Sequence, residues 1–214
     1  MPVTSTSLSI ERRGVVEYLE ALEMQRTIHK NVASNNSPNT LLLLQHPSTY
    51  TAGKRTIDSE RPDNGSPVID VDRGGKITWH GPGQLVGYPI IRLRNPHELV
   101  GFVREIEGAL IEACAALGVL TQRVDGRSGV WVVDEKGSRK IAAIGIRVAS
   151  GTSMHGFALN VNPDLTPFQN IIPCGIDDAD VTSLALELGR NITVDEVTPI
   201  IEKTMNETLA KVSA

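Results

Sequence analysis

The chain has 214 residues, of which 40% are hydrophobic and 21% are charged, and its formal net charge is −4. These values are typical of a globular protein and exclude an intrinsically disordered chain. The acidic balance argues against a nucleic acid partner, because proteins that bind nucleic acid are usually basic. The length suits one domain, and we expect residues 1–214 to form a single unit.

The cysteine content and the hydropathy pattern bear on the compartment. There are two cysteines, Cys114 and Cys174, which is too few for a disulfide framework and indicates a reducing environment. No apolar run approaches the ~20 residues of a membrane span, and the N-terminal segment lacks the hydrophobic centre of a signal peptide. We therefore expect a cytoplasmic protein with no membrane contact.

The first half of the chain predicts one helix and several short strands. Residues 11–33 read as a helix with Val15, Val16, Leu19 and Leu22 on one face. After a polar loop, Thr40–Leu44 has the length and composition of a buried strand. Residues 51–67, which are rich in glycine, proline, aspartate and serine, predict an exposed loop. Further strands are predicted at Val68–Val71, Ile77–Trp79 and Leu85–Ile91.

A second helix is predicted to begin at Asn95, with Pro96 in the first helical position and Glu98 completing a capping box. Apolar residues follow at helical spacing up to Gly118, which is a natural stop. Cys114 lies beside this apolar stripe, so we expect it to be a buried thiol of the core.

The remaining pattern predicts a β-hairpin, one more strand and a C-terminal helix. The hairpin strands are Val130–Val133 and Lys140–Val148, and Met154–Val161 is the further strand. The last helix begins either after Thr193, which places Pro199 inside it, or after Thr198, and the sequence does not decide between them. Because strands and helices do not alternate regularly, the fold class is α+β, with a mixed, largely antiparallel sheet and packed helices.

Residues 73–88 concentrate several glycines with Arg73, His80 and Gln84. Glycine lets the backbone approach a ligand closely, although two tight turns around a strand would also need it. The pattern is neither a dinucleotide-binding fingerprint nor a nucleotide phosphate loop.

Three other residue types are candidates for chemistry. Cys174 lies between Pro173 and Gly175, which predicts a loop that either exposes the thiol in a defined pose or buries it as a small hydrophobic group. Lys140 opens an apolar strand, a position where most lysines are simply solvated. His80 and His155 are candidate bases, yet a lone histidine beside glycine is more often a structural hydrogen-bonding residue.

The joint pattern of these segments resembles the bacterial lipoyl(octanoyl) transferases. The residues that carry the resemblance span about residues 14–188, and they are Arg73-Gly74-Gly75 with Thr78, His80, Gly83-Gln84 and Tyr88; Gln45-His46-Pro47 with Tyr50, Thr51 and Gly53; Gly129-Val130-Trp131; Lys140 to Gly145; Ser153 with His155 to Asn160; Pro173-Cys174-Gly175; and Val181 to Leu184.

The resemblance implies a fold shared with the lipoate and biotin protein ligases and a catalytic pair made of Cys174 and Lys140. It implies neither a metal nor a cofactor of the enzyme. It also implies that Gly74, Gly75, Gly156 and Ala158 keep an acyl slot open. The segments implied to contact the acyl chain are Arg73, Gly74, Gly75, Lys76, Ile77, Thr78, Trp79, His80, Ala143, Ile144, Gly145, Gly156, Phe157 and Ala158.

The implied activity is transfer of an octanoyl group from the phosphopantetheine arm of acyl carrier protein to Cys174. The group then passes to a lysine of lipoyl domains, in 2-oxo-acid dehydrogenase complexes or in the glycine cleavage H protein, as the first step of protein lipoylation. Such partners are usually acidic, and a local basic excess could dock them. Its members are Arg123, Arg127, Lys136, Arg139, Lys140 and Arg147, joined by Arg55, Arg73 and Lys76.

Three other functions remain open on the residues alone. An ATP-dependent lipoate or biotin ligase would use the same fold without a catalytic cysteine. A thioester hydrolase would pair Cys174 with His80 or His155. A binding module without catalysis would bury Cys174.

Overall fold

The computed structural model describes residues 8–171 and 180–214, so Cys174 lies outside the described residues. Within them the chain forms two sheets and four α-helices, with short 3-10 helices at Asp58–Glu60 and Thr166–Asn170. In chain order the elements are β1 (Leu8–Val15), α1 (Tyr18–Ala33), β2 (Asn39–Gln45), β3 (Thr49–Ala52), β4 (Val68–Asp70), β5 (Thr78–His80), β6 (Gln84–Ile90), α2 (Leu99–Ala116), β7 (Gln122–Val124), β8 (Arg127–Asp134), β9 (Gly137–Ala149), β10 (Thr152–Asn160), β11 (Asp180–Val181), α3 (Leu184–Leu188) and α4 (Val194–Val212).

The larger sheet has the strand order β1-β2-β6-β10-β9-β8-β7, and β11 pairs with β9. The β1–β2 and β11–β9 pairs are parallel. The other pairs of this sheet are antiparallel. The predicted α+β class with a mixed, largely antiparallel sheet is therefore confirmed.

Helices cover both faces of this sheet because its central strands are apolar on both sides. In β2, Leu41 and Leu43 belong to the main core, which also holds apolar residues of α2 and α4. Leu42 and Leu44 point the other way and pack with Ala21 and Val32 of α1. This alternation follows from the two-residue period of a strand.

The smaller sheet has the order β4-β3-β5 and holds a separate apolar cluster. Tyr50, Trp79, Phe168 and Ile171 are buried in this cluster, and Val181 of β11 packs against it. Ile171 and Val181 are thus the apolar residues nearest to each end of residues 172–179, and both contact the same cluster. This apolar cluster lies next to the site described below.

The predicted N-terminal helix is wrong over its first residues. Residues 8–15 form β1, and α1 begins only at Tyr18. Val15 and Leu19 are 59% exposed, whereas Tyr18, Ala21 and Leu22 are buried. The charged residues of β1 suit an edge strand, where pairing with β2 satisfies the backbone and one face remains in water.

Two other predicted boundaries differ from the structure, and the structure decides a third, the start of α4, which the sequence left open. Part of the predicted loop 51–67 is strand β3, because Tyr50 and Ala52 are buried there. Helix α2 begins at Leu99 with Glu98 at its cap, since the Glu98 N–H closes a turn onto the Asn95 carbonyl. Helix α4 follows a capping box of Thr193 and Glu196, so Pro199 lies inside the helix. None of the helices in the described part of the chain is long and apolar enough to cross a membrane.

Candidate active site

A cavity of about 190 Å³ opens between the two sheets. Strand β9 contributes Lys140, Ala143, Ile144 and Gly145, and β10 contributes His155 to Ala158. The third wall is the glycine-rich segment with Arg73, Gly75, Lys76, Thr78 and His80. Tyr18, Val86 and Tyr88 line it from α1 and β6, Arg127 and Ser128 line it from the start of β8, and Arg55 lines it from a loop. A much smaller cavity continues beside Lys140, Ala143 and Ala158.

The glycine-rich segment is held against β9 by close backbone contacts. The Gly74 N–H donates to the Ile146 carbonyl over 3.2 Å. A Cβ atom at Gly145 would lie 2.9 Å from Cδ of Arg73 and 3.0 Å from the Gly74 carbonyl oxygen, so only glycine fits there. The Arg73 guanidinium, itself buried, donates to the carbonyls of Gly74, Lys76 and Thr51. Arg73 therefore fixes the shape of the segment that forms the cavity wall.

A β-bulge aims Lys140 into the cavity. Val130 pairs with Ala142 and Trp131 pairs with Lys140, so Ile141 is an extra residue on β9. As a result, Ile141 and Ala142 both belong to the main core, while Lys140 and Ala143 on either side line the cavity. Regular alternation would place Lys140 on the core face instead, and bulges commonly re-aim side chains in this way.

Lys140 is only 6% exposed. Its Nζ atom lies 4.6 Å from the centroid of the Trp131 ring. Among residues 8–171 and 180–214, no carboxylate lies within ion-pair distance of this amine. A buried amine without a fixed counter-ion suits a group that gains and loses a proton during a reaction.

Buried aromatic and imidazole rings form another part of the cavity wall and its support. His46 donates from Nδ1 to the Val16 carbonyl over 2.7 Å, and its Nε2 accepts from the Tyr88 hydroxyl over 2.7 Å. The ring of His80 stacks on Tyr18 with centroids 5.8 Å apart. Burial lowers the pKa of His46 to about 4 and that of His80 to about 3, and it raises the pKa of Tyr18 to about 12. These rings are therefore neutral at pH 7.

The second candidate base, His155, is held by a carboxylate. Its Nε2 donates to Asp72 over 2.7 Å, and Asp72 also pairs with Arg147. Burial lowers the pKa of His155 although the contact with Asp72 opposes this effect. Its Nδ1 is buried and has no hydrogen-bond partner in the described part of the chain. The residue has a φ of 60°, so the backbone is held in the left-handed region here.

A chain of buried hydrogen bonds joins this wall to the strand that follows residues 172–179. His80 donates to Gln84 over 2.8 Å, and Gln84 donates to Asn160 over 2.8 Å. Asn160 donates to the Thr182 carbonyl over 2.9 Å, and the Thr182 N–H donates to the Lys140 carbonyl over 2.9 Å. Val181 and Thr182 are thus fixed directly beside Lys140, and Val181 is the register partner of Lys140.

The structure brings most of the predicted substrate-contacting residues to one cavity. The exceptions are Gly74, Ile77 and Trp79, which do not line it. Ile77 and Trp79 are buried in the cluster of the smaller sheet. Gly156 lines the cavity, and its predicted role in opening a slot stays a prediction. What the structure shows is that the missing Cβ of Gly156 lets β10 lie against the Gly87 carbonyl of β6. Whether the lining residues bind an acyl chain stays a prediction.

No role at the site was predicted from the sequence for several residues that shape it, although Tyr88 and Trp131 belong to the motifs that carry the resemblance. Tyr18 and Tyr88 line the cavity, and Trp131 lies under the lysine. Glu107 of α2 is fully buried and accepts from the Gly129 N–H over 2.9 Å, which fixes the backbone of β8 two residues before Trp131. A charged residue within the apolar stripe of α2 was the only available signal for Glu107.

The other cysteine behaves as predicted. Cys114 is fully buried in the main core, and burial raises its pKa to about 12. The thiol is therefore inert as a nucleophile, which leaves Cys174 as the candidate.

The predicted basic cluster is largely engaged in internal ion pairs. Arg123 binds Glu107, Arg147 binds Asp72, and Arg139 binds both Asp134 and Glu187. Lys76 pairs with the buried Glu60. Arg55 differs, because it is exposed, lines the cavity and makes no ion pair with any residue in the described ranges. Arg55 therefore places an exposed cation at the edge of the cavity.

Comparison with known proteins places the chain in a family. Residues 17–206 match the lipoyl protein ligase A/B catalytic domain family. A relative from Acidothermus cellulolyticus described as an octanoyltransferase is 59% identical over 203 residues, which cover 94% of this chain and 92% of the relative. An octanoyltransferase of Mycolicibacterium smegmatis is 60% identical over 196 residues, which cover 90% of this chain and 85% of that relative. The chain belongs to this family of octanoyltransferases.

Two solved structures have the same fold as this chain. A lipoate-protein ligase A bound with ATP has a TM-score of 0.74 at 17% identity and covers 94% of this chain and 84% of its own. A bi-partite lipoate protein ligase from Thermoplasma acidophilum, described with its E2 lipoyl domain, has a TM-score of 0.69 at 17% identity over the same shares. These structures confirm the predicted fold, whereas the family model and the octanoyltransferase relatives confirm the predicted family and enzyme class.

Proposed function

We propose that this chain transfers an octanoyl group from a thioester donor to a lysine of a lipoyl domain, with Cys174 as the nucleophile and Lys140 as acid and base. The donor is octanoyl-acyl carrier protein. The acceptors are the lipoyl domains of 2-oxo-acid dehydrogenase complexes and the glycine cleavage H protein. The observation that carries the proposal is the buried Lys140 amine, which lines the cavity without a carboxylate partner in residues 8–171 and 180–214.

In the first step, the thiolate of Cys174 attacks the carbonyl carbon of the donor thioester. A new carbon–sulfur bond forms, the bond to the phosphopantetheine sulfur breaks, and that sulfur takes a proton from the Lys140 ammonium. A thioester exchanges for another thioester of similar energy, so this step needs no nucleotide. A nearby ammonium also favours the reactive thiolate, because opposite charges stabilise each other at ~4–6 Å.

In the second step, the neutral amine of the acceptor lysine attacks the acyl-enzyme. The now neutral Lys140 accepts the proton that the forming amide loses, and the Cys174 thiolate leaves. The enzyme returns to its starting protonation state, so the two steps balance. Formation of an amide from a thioester is downhill, which drives the transfer.

Two features of the described residues support a place for Cys174 beside Lys140. Ile171 and Val181, which flank residues 172–179, pack against one apolar cluster. Val181 is also the register partner of Lys140 on β9. The cavity adds a slot for the acyl tail, where burial of each CH₂ group contributes ~0.8 kcal/mol before the costs of binding.

The geometry does not favour a thioester hydrolase based on a Cys–His pair. His80 uses Nδ1 to bind Gln84, and its pKa is lowered to about 3. His155 uses Nε2 to bind Asp72, and its other ring nitrogen is buried. Neither ring is therefore a ready base near neutral pH.

An assay with two acyl donors distinguishes the proposed transferase from the rival ATP-dependent ligase. Purified enzyme and an apo lipoyl domain should give octanoylated domain with octanoyl-acyl carrier protein and no nucleotide. Free octanoate with ATP and Mg²⁺ should give none. Product from the second mixture without carrier protein would overturn the proposed donor and establish a ligase.

A further inference from the structure

We propose that the indole ring of Trp131 is a positioning residue that holds the Lys140 ammonium in place for the acylation half of the reaction. The proposal rests on the function proposed above. Nζ of Lys140 lies 4.6 Å from the ring centroid, inside the ~6 Å range of cation–π contacts. The two residues are direct antiparallel partners, so their side chains emerge on the same face of the sheet.

The Trp131 ring makes few other contacts that would explain its position. Trp131 is 1% exposed, yet it belongs to none of the apolar clusters formed by the described residues. Its indole N–H has no acceptor within those residues. Its aromatic face lies near two cations instead, since Cζ of Arg127 is 5.9 Å from the same ring. A large buried side chain at this position thus presents a π face to the lysine.

The electrostatic surroundings make this contact important for Lys140. Among the described residues that line the same cavity, the charged ones are all cationic, and cations repel an ammonium. Near β9, Asp134 and Glu187 bind Arg139, and Asp180 of β11 is the register partner of Arg139. The titratable groups facing the cavity are Arg55, Arg73, Lys76, Arg127, Tyr18, His80, Tyr88 and His155, with no carboxylate among the described lining residues.

The ring should therefore affect the two half-reactions differently. Acylation of Cys174 uses the charged lysine, which gives its proton to the departing thiol. Deacylation uses the neutral lysine, which accepts a proton from the incoming amine. Loss of the π face weakens only the charged form, so acylation should slow while deacylation should not. A general loosening of the fold would slow both steps.

The experiment compares Trp131→Leu and Trp131→Phe with the parent in single-turnover assays. Octanoyl-acyl carrier protein is mixed with enzyme to follow acylation, and isolated acyl-enzyme is mixed with lipoyl domain to follow deacylation. For Trp131→Leu we expect acylation about 10-fold slower, the size expected for loss of a desolvated cation–π contact, and an acylation pH optimum about one unit lower. Trp131→Phe keeps a smaller π face and should lie between the two, with deacylation unchanged in both variants.

A core variant serves as the control, and Trp131→Phe serves as a second test if Trp131→Leu does not fold. Leu110→Ala removes a buried side chain from α2 in the main core and should slow neither half-reaction selectively. Equal slowing of both steps by Trp131→Leu, or a phenylalanine variant as slow as the leucine variant, would overturn the proposal. If the leucine variant does not fold, selective slowing of acylation in Trp131→Phe still decides the matter. Failure of the parent to form any acyl-enzyme would instead overturn the proposed function itself.

Discussion

Replacement of Ala158 by leucine should shorten the acyl chain that the enzyme prefers. Ala158 is 3% exposed on β10 and lies directly opposite Ala143 of β9. Both alanines line the main cavity and its smaller continuation beside Lys140. A leucine side chain there adds three carbons to the space that we assign to the octanoyl tail.

The size of the effect follows from the buried hydrocarbon. If the added side chain displaces two to three methylene groups, the octanoyl group loses about 1.6–2.4 kcal/mol of burial. That loss corresponds to a decrease of roughly 15- to 60-fold in kcat/KM for octanoyl donors. A six-carbon donor fits the remaining space and should keep most of its rate, so the preferred length should fall to about six carbons.

The assay measures kcat/KM for carrier proteins loaded with six-, eight- and ten-carbon chains. Ala149→Leu is the matched control, because Ala149 lies at the end of β9 and lines neither cavity. Gly75 is a poor site for this test, since its φ of 86° makes any side chain strained for reasons unrelated to the slot. An octanoyl preference that survives Ala158→Leu would refute the assignment of the cavity to the acyl tail.

Three further predictions concern stability, pH and docking. Glu107→Ala should lower the free energy of unfolding by about 3–5 kcal/mol in urea titrations, because it leaves the buried Gly129 N–H and two arginines without their acceptor. As the control, Glu105→Ala at an exposed position of the same helix should change it by less than ~0.5 kcal/mol. Because burial lowers the pKa of His46 to about 4 and an unfolded histidine titrates near ~6.5, the unfolded state takes up this proton first as pH falls. Stability should therefore be lost between pH 6.5 and 4, by about 3 kcal/mol from this residue, and His46→Gln should reduce the loss. Transfer should weaken as salt rises, and Arg55→Glu at the cavity mouth should slow it more than Lys136→Glu in the exposed hairpin turn; equal rates would remove the docking role of Arg55.

The sequence predicted those parts of the fold in which local pattern and tertiary environment agree. The apolar runs of β2, β6 and β10 became central strands, and the turn between β8 and β9 formed where polar residues interrupt two apolar runs. Residues 11–15 of β1 were predicted as helix because the pairing of β1 with β2 depends on a segment more than 25 residues away, which local periodicity cannot show. The start of α2 was misplaced because Glu98 turns back onto Asn95 before the helix begins.

The sequence also predicted only part of the site, because some of its features depend on strand pairing. Motif resemblance identified Lys140 and the glycine-rich segment, and most of those residues line one cavity. The bulge at Ile141 that aims Lys140, and the aromatic face of Trp131 beneath it, depend on strand register between β8 and β9. Register of this kind is set by tertiary packing, and the sequence spacing alone does not contain it.

The central claim is that the acyl group rests covalently on the enzyme between donor and acceptor, and intact-protein mass after exposure to octanoyl-acyl carrier protein tests it most directly. The parent enzyme and Cys114→Ala should each gain the mass of one octanoyl group, which hydroxylamine removes. Cys174→Ser should gain no thioester, and Lys140→Ala should gain one slowly. An octanoyl mass on Cys174→Ser that hydroxylamine removes as readily, or its absence from the parent during productive transfer, would contradict the account.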